Sequence, residues 1–173
     1  MTSISKKIYF ASDQHFGAPT PELSFPREQK FVAWLDEVKK DAEAIFLLGD
    51  LFDFWFEYKT VVPKGFVRVL GKLAEIRDSG IPIYFFVGNH DLWMNDYFEK
   101  ELNIPVFHDN QEYTFHGKTF LVGHGDGKGP GDLGYKRMKK VFTNPFSKWL
   151  FRWLHPDLGV GLAQYLSVKN KLI

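Results

Sequence analysis

Four short apolar runs in this chain each stop at a residue that can ligate a metal or move a proton. Ile8-Tyr9-Phe10-Ala11-Ser12 ends at Asp13-Gln14-His15, and Ile45-Phe46-Leu47-Leu48 ends at Gly49-Asp50. Ile83-Tyr84-Phe85-Phe86-Val87 ends at Gly88-Asn89-His90-Asp91, and Thr119-Phe120-Leu121-Val122 ends at Gly123-His124. Short apolar runs bounded by turn formers read as strands, and strands that share a sheet bring their carboxyl ends together. Open α/β sheets bind ligands at those ends, so carboxylate, amide and imidazole groups placed there repeatedly predict one polynuclear metal site.

The segments between the runs are helical. Pro19, Pro21 and Pro26 mark a loop, after which Phe31, Trp34, Leu35 and Val38 recur at the spacing of one helix face. A second helix is expected from about Lys64 to Asp78, closed by Gly80 and Pro82, and a short third one near Asp96 to Leu102. The resulting β-α-β-α-β order favours right-handed crossovers and a parallel sheet. Tyr113-Thr114-Phe115 and Thr119 to Val122, separated by His116-Gly117-Lys118, form a hairpin. From Gly125 the chain turns glycine-rich and then helical, broken at Pro145 and Pro156. The expected division is a core over 1–124 and a helical cap over 125–173.

Composition sets the outer limits. At 173 residues with 45% hydrophobic content the chain suits one domain with an ample core. Lys and Arg total 22 against 21 Asp and Glu, a formal charge of +1, so no global field recommends a nucleic-acid partner. The absence of cysteine excludes disulfides, thiolate zinc sites and cysteine nucleophiles, and suits a reducing compartment. The first residues run straight into a strand without the pattern of a secretory leader, and no apolar stretch is long enough to span a bilayer. A cytoplasmic location follows, with any membrane contact peripheral.

Singly, each ligand motif is bland, since Asp and Asn often cap helices or sit in turns. In combination, Asp13-x-His15, Gly49-Asp50-x-x-Asp53, Gly88-Asn89-His90-Asp91 and Gly123-His124 resemble the calcineurin-like metallophosphoesterase family over nearly the whole chain. The resemblance implies that family's layered β-sheet sandwich flanked by helices, an α/β fold. It implies that Asp13 and His15 bind one metal, Asp50 bridges two, and Asn89 and His124 bind the second. It places His90 toward the leaving group, so that Asn89 and His90 are the residues nearest the chemistry. Two divalent ions against Asp13 and Asp50 leave a site of about +2, able to hold phosphate and polarise water. His90 suits a general acid or a donor to the developing oxyanion. Asp91 either orients His90 or His15 or caps a helix, and Asp53 is left without a fixed role. His108, His116 and His155 read as surface residues. Mixed oxygen and nitrogen ligands suit manganese, iron or zinc, with manganese the first expectation.

The family pattern continues with a Gly-His-x-His that this sequence lacks; Asp126 stands where Gly123-His124-Gly125 would otherwise lead to a second histidine. The expectation is a second sheet short of its C-terminal strands and a weakened metal affinity. Within the family, Ser12 to Gly17, the aromatic Gly49 to Trp55 and the Gly131-Asp132-x-x-Tyr135-Lys136 stretch are similar to the UDP-2,3-diacylglucosamine pyrophosphatases of lipid A biosynthesis. That likeness implies a lipid-linked nucleotide substrate, contacts from Asp132, Tyr135 and Lys139, and a peripheral seat on the cytoplasmic face of the inner membrane. It also implies that the segment around Ser167, Lys169 and Asn170 returns toward the substrate. The cap interleaves Phe142, Phe146, Trp149, Phe151 and Trp153 with Lys136, Lys139, Lys140, Lys148 and Arg152, which suits an acyl groove or an anionic lipid face, or simply a small core with a solvated side. The alternatives are a phosphoesterase for a soluble nucleotide and a non-catalytic scaffold of the same fold.

Overall fold

The computed structural model describes residues 6–126 and 133–162, with backbone alone at 133–135, 137 and 138. Four parallel strands, β1 (Lys7–Ala11), β2 (Ala42–Leu48), β3 (Ile83–Phe86) and β4 (Val106–Phe107), lie side by side in chain order. Every crossover steps in the same direction. Right-handed connections then put the three intervening helices, α1 (Pro21–Val38), α2 (Val67–Asp78) and α3 (Tyr97–Leu102), on one face of the sheet. The other face is covered by the antiparallel hairpin of β5 (Gln111–Phe115) and β6 (Lys118–Val122).

The alternation of strand side chains divides the core between these layers. Ile45, Leu47, Ile83 and Phe85 face the helices, where they pack with Leu35, Leu73, Ile76 and Phe98. Ala44, Phe46 and Phe86 face the hairpin and meet Val122, Tyr113 and Phe115. Phe46 is the hub of that second layer, with ring centroids 4.8 Å from Tyr84, 4.9 Å from Tyr113 and 5.1 Å from Phe10. Burying each such aromatic contributes roughly 1.5–3 kcal/mol.

Three boundaries differ from the sequence-based expectation, each for a local reason. The first helix begins at Pro21, so Pro21 and Pro26 are helix and only Pro19 remains in the loop. Thr20 caps it by accepting from the Leu23 amide, and Pro21 occupies the first turn, where a missing N–H costs nothing. The inward face of these turns carries Ser24 and Glu28, polar residues that conceal the apolar period. The second helix begins at Val67, because Phe66 takes a left-handed φ of 57° after Gly65 at 109°. The third parallel pairing, to β4, was not expected; two residues are too short to register as a strand pattern.

Core packing extends into the loops that end at the site. Phe16, Phe52 and Trp55 are fully buried, and Phe52 stacks on Trp55 at 4.5 Å. Glu57, also buried, accepts from the Trp55 indole at 3.0 Å and from the Asp96 and Tyr97 amides at 2.8 and 3.1 Å, which caps α3. Beyond β6, α4 (Leu133–Thr143) and α5 (Pro145–Arg152) follow, with a further helical stretch over 156–162. They meet the core through Phe151, whose ring lies 4.5 Å from Trp93 and 4.7 Å from Phe56, and through a 2.6 Å hydrogen bond from the Trp93 indole to the Phe142 carbonyl.

Candidate metal centre

The loops after β1 and β2 are laced together by backbone hydrogen bonds. Asp13 N–H donates to the Gly49 carbonyl at 3.2 Å, His15 N–H to Asp50 at 2.9 Å, and Phe16 N–H to Leu51 at 2.9 Å. Asp13, His15 and Asp50 hold left-handed φ values of 58°, 46° and 53°. Three non-glycine residues in that region within one small site are strain maintained by the surrounding packing, as is usual where side chains must be aimed.

Two glycines allow the third loop to close on these. A Cβ on Gly49 would stand 2.6 Å from the Gly88 nitrogen and 2.8 Å from Nδ1 of His124, and one on Gly88 would collide with the Asp50 carboxylate. Their absence lets His90 N–H donate to Asp50 Oδ1 at 2.9 Å.

The side chains expected to ligate converge on Asp50, which is 3% exposed. His15 Nε2 lies 3.7 Å from Asp50 Oδ2 and 3.9 Å from Asp13 Oδ1; His124 Nε2 lies 3.6 Å from the same Asp50 oxygen and 3.3 Å from Asn89 Oδ1. Tautomers follow from the other ring nitrogens. His124 Nδ1 is 2.7 Å from the Leu48 carbonyl, which can only accept, so Nδ1 carries the proton and the Nε2 lone pair faces Asp50 and Asn89. His90 Nδ1 donates likewise to the Asp53 carbonyl at 2.9 Å. Nitrogen and oxygen lone pairs aimed at one another across such gaps repel unless a cation lies between them. The residues present therefore fit divalent ions, and Asp13, His15 and Asp50 bring ligand atoms within 4.8 Å of one another.

His15, Asp53 and His90 form a second such cluster. Asp53, buried at 7%, places Oδ1 3.6 Å from both His15 Nδ1 and His90 Nδ1, while those two rings meet edge to face at 4.7 Å. Sequence reasoning left Asp53 without a role, and the signal that could have found it is the Asp-x-x-Asp spacing, which returns the second carboxylate to the site after one turn.

Asp91 orients neither His90 nor His15, as one reading of the sequence allowed, nor does it cap a helix. It is fully buried and accepts from the Gly88 amide at 2.7 Å and the Leu51 amide at 3.0 Å, tying the third loop to the second. Burial, then the nearby Asp50 charge, pushes its carboxyl up to about 7. Lys139 pairs with Asp126 at 2.7 Å. Asp132, the Tyr135 side chain, Ser167, Lys169 and Asn170 lie outside the described residues. His116 and His155 are exposed, near Glu43 and Asp157 respectively, and His108 is an exposed loop residue.

The calcineurin-like phosphoesterase family profile matches residues 6–162, and the chain belongs to that family. Among its relatives, a UDP-2,3-diacylglucosamine hydrolase of Porphyromonas gingivalis is 42% identical over 166 residues, which are 95% of this chain and 63% of that protein. Hydrolases of the same name from Edwardsiella ictaluri and Haemophilus influenzae are 32% and 31% identical, matched over 62% and 68% of their lengths and over 93% and 95% of this chain. The chain thus spans less than two thirds of the length of the first two. A crystal structure of a protein of unknown function from Aquifex aeolicus shares the fold, with a TM-score of 0.50 at 21% identity over 78% of this chain and 71% of the other.

Proposed function

We infer that this chain carries the reaction centre of a metal-dependent hydrolase that cleaves the pyrophosphate bond of UDP-2,3-diacylglucosamine, giving UMP and 2,3-diacylglucosamine 1-phosphate. The observation that carries the reading is the approach of His15 and His124 to the same Asp50 oxygen, at 3.7 and 3.6 Å. A carboxylate flanked by two imidazoles suits a bridge between two ions. Asp13, His15 and Asp50 would hold one, and Asp50, Asn89 and His124 the other, with manganese the first candidate and iron or zinc compatible with the same donors. Divalent ions held there supply Lewis acidity and positive charge to a phosphoryl group.

The chain's own groups do the rest. Water adds to the α-phosphorus, the bond from that phosphorus to the bridging oxygen breaks, and the lipid sugar phosphate departs with that oxygen. His90 is tethered through Nδ1 to the Asp53 carbonyl, which leaves Nε2 as the nitrogen that hydrogen-bonds a phosphoryl oxygen or, as imidazolium, delivers a proton to the leaving group. The Asp53 carboxylate lies between that ring and His15, with Oδ1 3.6 Å from Nδ1 of each. Asp132, Tyr135 and Lys139 complete the substrate contacts from a cap formed by residues 125–173.

The lipid half of the substrate is supported by α5. Phe146, Trp149, Leu150 and Trp153 are 54–75% exposed, and Arg152 on the same short helix is exposed as well. Such a face suits a peripheral seat on the anionic cytoplasmic leaflet of the inner membrane. Among the described residues no helix is long and apolar enough to cross a membrane. The test is turnover of UDP-2,3-diacylglucosamine by manganese-loaded protein in ¹⁸O water: label in UMP is expected, and label in the sugar phosphate, or no turnover by protein carrying both ions, contradicts the reading.

A further inference from the structure

On the Asp53 side of the metal centre a cavity of about 440 Å³ opens between the loop after β1, the loop over 61–66 and the segment over 156–161. Phe16, Phe54 and Phe66 contribute flat apolar walls, and Asp53 belongs to both the cavity and the histidine cluster. The cavity therefore adjoins the histidine cluster beside the metal centre.

Two polar groups are buried in the wall. Glu28 reaches it from α1 at 7% exposure, and desolvation raises its carboxyl against the opposing charges of Arg68 and Arg27 and the Ser24 hydroxyl. The Tyr58 hydroxyl is buried with no hydrogen-bond partner. An acyl chain offers neither donor nor acceptor and would leave the Tyr58 hydroxyl unsatisfied. A planar heterocycle with ring N–H and carbonyl groups meets them at its edge and packs its faces on the phenyl rings.

We propose that this cavity receives the pyrimidine base of the substrate, with Glu28 and Tyr58 hydrogen-bonding the edge of the ring and Phe16, Phe54 and Phe66 enclosing its faces. The inference rests on the reading of a UDP-linked substrate and assigns the nucleotide half to the Asp53 side.

The experiment compares UMP, ribose 5-phosphate and decanoate as ligands of the manganese-loaded chain, by calorimetry, for wild type, Tyr58→Phe and Glu28→Leu, with circular dichroism confirming that each variant folds. UMP is expected to bind wild type at least about tenfold tighter than ribose 5-phosphate, and each substitution to remove most of that preference without changing ribose 5-phosphate binding. Equal binding of UMP and ribose 5-phosphate by wild type, a preference that survives both substitutions, or decanoate displacing UMP from the site overturns the proposal. Turnover in labelled water separates the two claims. Turnover without base preference removes the base site alone, and base preference without turnover removes the reaction while the site stands.

Discussion

Nε2 of His124 lies 3.6 Å from Oδ2 of Asp50, although the two residues come from different sheets. The Leu48 carbonyl at the end of β2 holds the histidine's Nδ1 at 2.7 Å, so the strand that delivers Asp50 also aims its partner. If Asp50 is the shared ligand, its loss should affect both ions.

Asp50→Ala is accordingly expected to weaken binding of two ions by at least about 100-fold, whereas Asn89→Ala weakens only one. Elemental analysis after dialysis against limiting manganese checks this. Retention of one tightly bound ion by Asp50→Ala would show that the carboxylate is not shared.

Two glycine substitutions should move stability in opposite directions. Gly88→Ala forces a methyl group into the Asp50 carboxylate and should cost about 1–3 kcal/mol together with metal affinity. Gly71→Ala adds a methyl group in open space within α2 and should stabilise by roughly 0.5–1 kcal/mol. Urea midpoints at constant m-value decide both.

The pH dependence of the chelated protein follows from Asp91. Its carboxyl is raised from the ordinary 3.8 to about 7, so the folded state binds that proton more tightly than the unfolded chain does. The contribution to stability is fully present below about pH 4 and is lost as pH rises through about 7. Asp91→Asn removes this titration while turning an amide N–H toward a backbone donor, at a cost of about 1–3 kcal/mol. The stability gap between wild type and variant should narrow from pH 4 to 7, measured by thermal unfolding in chelator; a widening gap contradicts the assignment.

Membrane contact through α5 predicts that Trp149→Ser with Trp153→Ser lowers partitioning onto anionic vesicles about tenfold or more and leaves neutral vesicles little bound by either protein. Cosedimentation measures it. Unchanged partitioning would mean that another surface, or none, meets the lipid.

Much of this was legible in the sequence because strand ends and ligand types coincide. Uniform apolar runs marked β2 and β3, and residues at their carboxyl ends could meet only at one edge of the sheet. What was hidden had no period to read. Ser24 and Glu28 disguised the first turns of α1, and β4 was too short for alternation. The roles of Asp53 and Asp91 depend on tertiary approach: one carboxylate inserts between two imidazoles, and the other receives amides from two loops. Which side of α5 is exposed, with Phe151 as the anchor of the other, likewise follows from docking on Trp93 and not from spacing.

The most direct test is anomalous scattering from a crystal of the manganese-loaded protein, recorded on both sides of the manganese edge. Two peaks flanking the Asp50 carboxylate, one toward Asp13 and His15 and the other toward Asn89 and His124, are the predicted result. Peaks elsewhere, or a fully loaded protein with no scatterer beside Asp50, would contradict the account.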